Sequence, residues 1–128
     1  MNTIAATSAG RVRGLVEDGL AVFRGIPFAQ PPVGEARFAA PQPVAPRDGV
    51  RDAFTFGPPP PQTPMGPGAP IEPDVSTDWL TLNVWTPDAD RAARRPVLVW
   101  IYGGAYLSGS SAVPIYNGRK LAGPTCTS

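Results

Sequence analysis

The sequence predicts an α/β fold made mostly of strand and loop, with little helix. Residues 97–102 form the continuous apolar run VLVWIY, which is typical of a strand covered on both faces. Residues 80–85 alternate apolar and polar side chains as LTLNVW, which predicts a strand with one buried face. Strands of the first kind belong to layered sheets with helices on both sides, although no segment here has a helical pattern long enough to cover either face.

The first part of the chain is predicted to form a β-hairpin. Residues 10–16 alternate polar and apolar side chains, residues 17–19 read EDG, and residues 20–23 resume an apolar run. A turn sequence ending in glycine between two such segments favours a hairpin. Gly25 and Pro27 then end the second strand.

Most of the 18 prolines lie between residues 41 and 73. From Pro58 to Pro73 they recur at every third position, which places them on one ridge of a polyproline II helix. We interpret residues 41–78 as a proline-rich covering loop within a domain of residues 1–122, followed by a divergent tail at 123–128. The alternative is a proline-rich (PxxP) interaction module that binds an aromatic-lined groove.

Composition excludes several classes of function. A net charge of +1 gives no basic surface for nucleic acid, and no apolar run approaches the length of a membrane span. With one cysteine and no histidine, the chain by itself offers no disulfide, no His-based zinc site and no Ser-His-Asp triad. We therefore expect no metal and no cofactor. The first 15 residues lack the pattern of a secretion signal, which predicts a cytoplasmic protein.

The most specific local signal is YGGAY at residues 102–106, directly after the predicted buried strand. Ligands of open α/β sheets bind at the carboxyl ends of strands, and glycine there lets backbone N–H groups approach them closely. Two successive N–H groups can stabilise a developing oxyanion in acyl transfer. The alternative interpretation is a glycine turn that only leaves a strand.

Four segments in order strengthen the first interpretation: FRGIPFAQPPVGEARF at 23–38, FGP at 56–58, DWLTLNVWTP at 78–87 and VWIYGGAYLSGS at 99–110. Together they resemble the N-terminal part of the type-B carboxylesterases, the cholinesterase-like branch of the α/β-hydrolases. The resemblance implies part of an α/β-hydrolase fold and hydrolysis of a small-molecule carboxylic ester by a Ser-Glu/Asp-His triad. It implies that the N–H groups of Gly104 and Ala105 are oxyanion donors and that Gly103 permits close approach.

The resemblance places the nucleophilic serine, in a G-x-S-x-G sequence, and then the acid and the histidine after the part matched here. The sequence contains no G-x-S-x-G, and its resemblance ends near Ala122. We therefore predict a truncated serine esterase, inactive alone, or a fragment that complements a separate C-terminal part. Pro60 and Trp79 replace two cysteines that pair in many family members, in agreement with a reducing compartment. The resemblance also suggests that Arg37 ties its segment to the loop around Asp78.

Overall fold

The structure, a computed structural model, describes residues 1, 3–63 and 77–123. In this part of the chain six strands form two three-stranded sheets. The first sheet has the order β1 (Ile4–Thr7), β2 (Gly10–Arg13), β5 (Val50–Asp52), and the second has the order β3 (Leu15–Glu17), β4 (Leu20–Pro27), β6 (Thr81–Thr86). Single 3-10 turns lie at Gly34–Ala36, Arg91–Ala93 and Pro114–Tyr116, and the short helix α1 spans Arg119–Ala122.

The first sheet contains two strands that the sequence did not predict. β1 pairs antiparallel with β2, and β5 pairs parallel with β2 on its other side. β5 lies within the predicted covering loop of residues 41–78 and is only three residues long, too short to show an alternating pattern. An ion pair between Arg13 and Asp52, at 2.6 Å, joins β2 to β5. The proline-rich stretch is thus tied to the first sheet through β5.

Gly14 is the joint at which the chain passes from the first sheet to the second. A Cβ atom there would overlap the carbonyl oxygen of Val22 and lie 2.9 Å from the ring of Phe23, so only glycine fits. Beyond this joint the predicted hairpin is confirmed: β3 and β4 pair antiparallel around the EDG turn, with Asp18 and Gly19 at positive φ. The first half of the predicted strand, residues 10–13, pairs with β1 instead.

β4 is the central strand of the second sheet. It pairs antiparallel with β6, which confirms the strand predicted at residues 80–85. The register shifts between Phe23 and Ile26, and at this bulge the N–H of Gly25 donates to Oδ1 of Asn83 at 3.0 Å. A bulge leaves a backbone donor without a ladder partner, and the Asn83 side chain supplies one.

The core lies between the two sheets. Val12, Ala21, Phe23 and Ala53 form one buried cluster, with Ala5, Ile26 and Ala89 packed around it. Two backbone hydrogen bonds of 2.8 Å connect Ala53 to both sheets. The N–H of Ala53 donates to the carbonyl oxygen of Arg13, and the N–H of Arg24 donates to the carbonyl oxygen of Ala53. The small side chains allow the close approach of the two sheets, because alanine adds little thickness between them.

The segment at residues 97–101 corrects the prediction of a strand covered on both faces. It has no strand partner among the residues that the structure describes, and its side chains are 66–86% exposed. Trp100, which a strand covered on both faces would bury, is 66% exposed. The composition of a buried strand remains, but a strand is defined by hydrogen bonds to neighbouring strands, and no described strand pairs with this segment.

The interpretation of Arg37 is wrong. Its guanidinium lies over the ring of Phe38, 5.1 Å from the centroid, and forms no ion pair with Asp78 in the described part of the chain. Oδ1 of Asp78 is buried and accepts no hydrogen bond from the described residues. Phe38 is 94% exposed, so this segment lies at the surface rather than against the loop that holds Asp78.

A two-point ion pair holds the hairpin of the second sheet. Nη1 and Nη2 of Arg24 donate to the two carboxylate oxygens of Glu17 at 2.7 and 2.6 Å, and the guanidinium lies 5.1 Å from the Phe56 ring centroid. These hydrogen bonds lower the pKa of Glu17 below its ordinary value of 4.5 and raise that of Arg24. A lowered carboxyl pKa adds stability above pH 4.5 that is lost as the pH falls through the folded-state value.

We expect Glu17→Gln to lower the free energy of unfolding at pH 7 by about 1 kcal/mol, because the pair is bidentate yet partly exposed. The difference from the wild type should shrink as the pH falls below 4.5, where Glu17 protonates in the unfolded and then in the folded chain. Urea titrations at several pH values measure this. Glu35→Gln, which removes an equal charge from an exposed side chain, is the control. Equal effects of the two substitutions at pH 7 would contradict the assignment.

Candidate functional site

The YGGAY sequence opens a tight loop at residues 103–109, called the glycine loop below. The carbonyl oxygen of Gly104 accepts from the N–H groups of Leu107 and Ser108, at 2.9 and 3.1 Å. Gly104 has φ +144°, and a Cβ atom there would overlap the carbonyl oxygen of Ser108. The loop therefore closes on Gly104 so tightly that no other residue fits at this position.

Ala105 and Tyr106 follow in the left-handed region, with φ of 53° and 63°. Two successive non-glycine residues in this region are strained, and such strain is concentrated at functional sites. Within the described chain, the N–H groups of Gly104 and Ala105 donate no hydrogen bond. Ala105 is exposed and Gly104 is half-buried. The turn thus holds two adjacent free donors at the surface, an arrangement that can bind a negatively charged oxygen.

Gly103 differs from Gly104 in its surroundings. A Cβ atom at Gly103 would meet nothing within 4 Å, so packing inside the described chain does not require glycine there. The predicted role of Gly103, close approach of a ligand, stays a prediction. The three predicted site residues lie together in one turn because they are consecutive in sequence.

The end of the glycine loop returns to its beginning. Gly109 has φ +124°, and a Cβ atom there would lie 2.8 Å from the carbonyl oxygen of Gly103 and 2.7 Å from the ring of Tyr102. Burial of Tyr102, with a smaller contribution from Tyr116, raises the pKa of its hydroxyl. The rings of Tyr102 and Tyr116 are 6.0 Å apart.

Sequence reasoning missed Gln62 and Asn83, whose side-chain amides bind the backbone at the end of the loop and just beyond it. The amide of Gln62 forms two hydrogen bonds with the backbone of Gly109, and Nδ2 of Asn83 donates to the carbonyl of Ser111 at 3.4 Å. Asn83 stands within one of the quoted segments, whereas Gln62 follows a run of prolines that carries no chemical signal of its own. Only the folded chain brings Gln62 to Gly109, 47 residues away.

The described residues contain neither a metal-binding cluster nor a membrane-spanning helix. No group of three or more His, Cys, Asp or Glu side chains that could hold a metal ion occurs among them. None of the helices they form has the length and apolar character needed to cross a membrane. Pro64, Pro67, Pro70 and Pro73 of the polyproline ridge, and Cys126, lie outside the described residues. The PxxP interpretation therefore stays a hypothesis.

A sequence model of the carboxylesterase family matches residues 1–125. The chain belongs to this family. The predicted resemblance is thereby confirmed, and carboxylesterases are hydrolases. The division into a domain of residues 1–122 and a tail stays a prediction.

Curated carboxylesterase relatives match most of the chain. It is 51% identical over 118 residues to the phenmedipham hydrolase of Pseudarthrobacter oxydans, covering 88% of this chain and 24% of that protein. It is 40% identical to the para-nitrobenzyl esterase of Bacillus subtilis, with 93% of this chain and 24% of the relative covered. It is 43% identical to the acetylcholinesterase of Bungarus fasciatus, with 91% of this chain and 21% of the relative covered. The chain thus spans about a quarter of the length of these relatives.

Solved carboxylesterase structures confirm the α/β-hydrolase fold. A carboxylesterase of Geobacillus stearothermophilus superposes with a TM-score of 0.78 at 45% identity, covering 94% of this chain and 24% of that one. A PNB esterase gives a TM-score of 0.80 at 41% identity, covering 95% of this chain and 24% of that one. The predicted fold class, part of an α/β-hydrolase with mostly strand and loop, is correct.

Proposed function

We propose that this chain is the oxyanion-binding part of a serine carboxylesterase that hydrolyses a small-molecule carboxylic ester. The observation that carries the proposal is the pair of unbonded N–H groups at Gly104 and Ala105, in a chain of the carboxylesterase family. As a carbonyl carbon becomes tetrahedral, its oxygen gains negative charge. Preorganised N–H donors at that point lower the barrier, because they need no reorientation during the reaction.

The remaining chemistry has to come from outside this sequence. A serine nucleophile needs a base to take its proton, and the chain contains no histidine. In the proposed reaction the serine oxygen attacks the ester carbonyl, the histidine carries the proton to the leaving alcohol, and water then releases the acid. Gly104 and Ala105 would bind the oxyanion in both steps. The chain alone is therefore proposed to be inactive, and its cytoplasmic location stays a prediction.

The test joins residues 1–122 of this chain to the part of the Pseudarthrobacter oxydans phenmedipham hydrolase that follows the matched region. We expect this joined protein to hydrolyse p-nitrophenyl acetate and to be inhibited by a serine-directed phosphonate, while the 128-residue chain stays at the background rate. The matched control replaces the serine of the G-x-S-x-G sequence with alanine. A folded but inactive joined protein, or enzymatic hydrolysis by the chain alone, would contradict the proposal.

A second candidate function is complementation in trans. The apolar residues at 97–101 are 66–86% exposed, and an exposed run of this kind promotes aggregation unless another segment covers it. We propose that a separately made C-terminal part would cover it. Co-expression of the full chain with the same hydrolase segment as a separate polypeptide tests this: activity in trans supports complementation, and activity in the joined protein alone contradicts it.

A further inference from the structure

The side chain of Gln62 forms a two-point contact with a single residue of the glycine loop. Nε2 of Gln62 donates to the carbonyl oxygen of Gly109 at 3.0 Å, and the N–H of Gly109 donates to Oε1 of Gln62 at 3.0 Å. Nε2 also donates to the carbonyl oxygen of Pro60 at 3.0 Å, which fixes the orientation of the amide. The side chain thus acts like a neighbouring strand that satisfies one residue's donor and acceptor together.

This contact is transmitted to the oxyanion donors by tight backbone packing. Gly109 lies against the carbonyl of Gly103, and Ser108 lies against Gly104. Neither Gly109 nor Gly104 has room for a Cβ atom. A shift of Gly109 would therefore move the neighbouring turn, because backbone in contact with backbone cannot yield by changing a rotamer.

The glycine loop needs such an external restraint. Ala105 and Tyr106 are held at positive φ, which non-glycine residues keep only where the surroundings impose it. Within the described part of the chain, Gln62 is the one side chain that forms a hydrogen bond with residues 103–109. The loop has no strand partner there either, so no ladder of backbone hydrogen bonds replaces this contact.

We propose that Gln62 is a positioning residue that sets the N–H groups of Gly104 and Ala105 for oxyanion binding, through its contact with Gly109. This inference rests on the proposed function of the glycine loop. The chemistry requires a carboxamide of this length. Asparagine is one methylene shorter, methionine has neither the donor nor the acceptor, and ionised glutamate keeps the acceptor but loses the donor.

The first experiment measures amide hydrogen exchange in the full chain. Gln62→Met is expected to speed exchange at Gly109 by about tenfold or more, with smaller increases at Leu107 and Ser108, because the hydrogen bond to Gly109 is lost and the loop loosens. Gln42→Met is the control, since Gln42 is exposed and, among the described residues, its side chain hydrogen-bonds only to the carbonyl of Ala40, at 3.3 Å. Unchanged exchange at Gly109 in Gln62→Met would overturn the proposal.

Gln62→Glu separates a specific amide contact from general packing. A protonated carboxyl has one donor and one acceptor and can restore both hydrogen bonds, whereas the carboxylate repels the carbonyl of Gly109. Exchange at Gly109, corrected for its intrinsic pH dependence, should therefore approach the wild-type value as the pH falls below the pKa of the new carboxyl. A constant ratio across this range would contradict the two-point contact.

The second experiment measures catalysis in the joined protein. Gln62→Met should lower kcat for p-nitrophenyl acetate by about 10- to 100-fold with KM changed less than about twofold, because the donors act on the transition state. Gln42→Met should change neither value. An active joined protein whose kcat is unchanged by Gln62→Met would overturn the positioning role alone. A joined protein that is inactive with Gln62 in place would contradict the proposed function itself.

Discussion

Replacing Gly104 by alanine should open the glycine loop and lower kcat/KM of the joined protein by about 100- to 1000-fold, the loss typical for an oxyanion donor. The added Cβ atom would overlap the carbonyl oxygen of Ser108, and φ +144° is a conformation that alanine avoids. Both conflicts involve backbone, so no rotamer change relieves them. The carbonyl of Gly104 would move away from the N–H groups of Leu107 and Ser108 that it now accepts from.

Gly103→Ala is the matched control for loop structure, because a Cβ atom one residue earlier meets only open space. Amide exchange at Leu107 and Ser108 in the full chain reports on the loop without catalysis. We expect fast exchange in Gly104→Ala and nearly wild-type exchange in Gly103→Ala. Equal protection in both variants would show that the tight closure on Gly104 does not hold the loop, and unchanged kcat/KM in Gly104→Ala would remove the oxyanion role.

Replacing Phe23 by alanine should lower the free energy of unfolding by about 3–5 kcal/mol, the usual result of deleting a buried aromatic ring. Phe23 is 2% exposed and is the largest of the seven buried hydrophobic residues in the described part of the chain. Its ring packs at Gly14, where the chain changes sheets, and its neighbours in the cluster are small. Alanine, valine and backbone cannot collapse far enough to fill the space.

Phe28→Ala is the control for this substitution, because Phe28 lies just beyond the end of the same strand and is 54% exposed. Urea unfolding followed by tryptophan fluorescence measures both variants in the joined protein and in the full chain. We expect the midpoint to fall strongly for Phe23→Ala and little for Phe28→Ala. Similar midpoints for the two variants would mean that the cluster between the sheets does not stabilise the fold.

The sequence anticipated features that depend on neighbours along the chain. The EDG turn needs positive φ at two consecutive positions, which Asp18 and Gly19 adopt, and the alternation at residues 80–85 matches a strand that pairs on β4. The YGGAY sequence led to the turn that carries Gly104 and Ala105, although their role as oxyanion donors stays a prediction. Four ordered segments were enough to indicate the carboxylesterase family, which the match over residues 1–125 confirms.

Other features depend on distant residues and left no local signal. β5 has three residues and exists because β2 offers it a parallel edge. The run at 97–101 has the composition of a buried strand, but composition cannot supply the strands that would lie beside it. Arg37 was expected to reach Asp78 and lies over Phe38 instead, since a long charged side chain at the surface takes the nearest favourable contact.

The amino-acid sequence by itself determined where the backbone can turn sharply and which family the chain resembles, because glycine positions and ordered motifs are properties of neighbouring residues. Tertiary structure alone decided that Gln62 meets Gly109 across 47 residues and that the chain crosses between sheets at Gly14. Hydrogen bonds and close packing act over a few ångströms in space, whatever the separation in sequence, so such contacts exist only once the chain has folded.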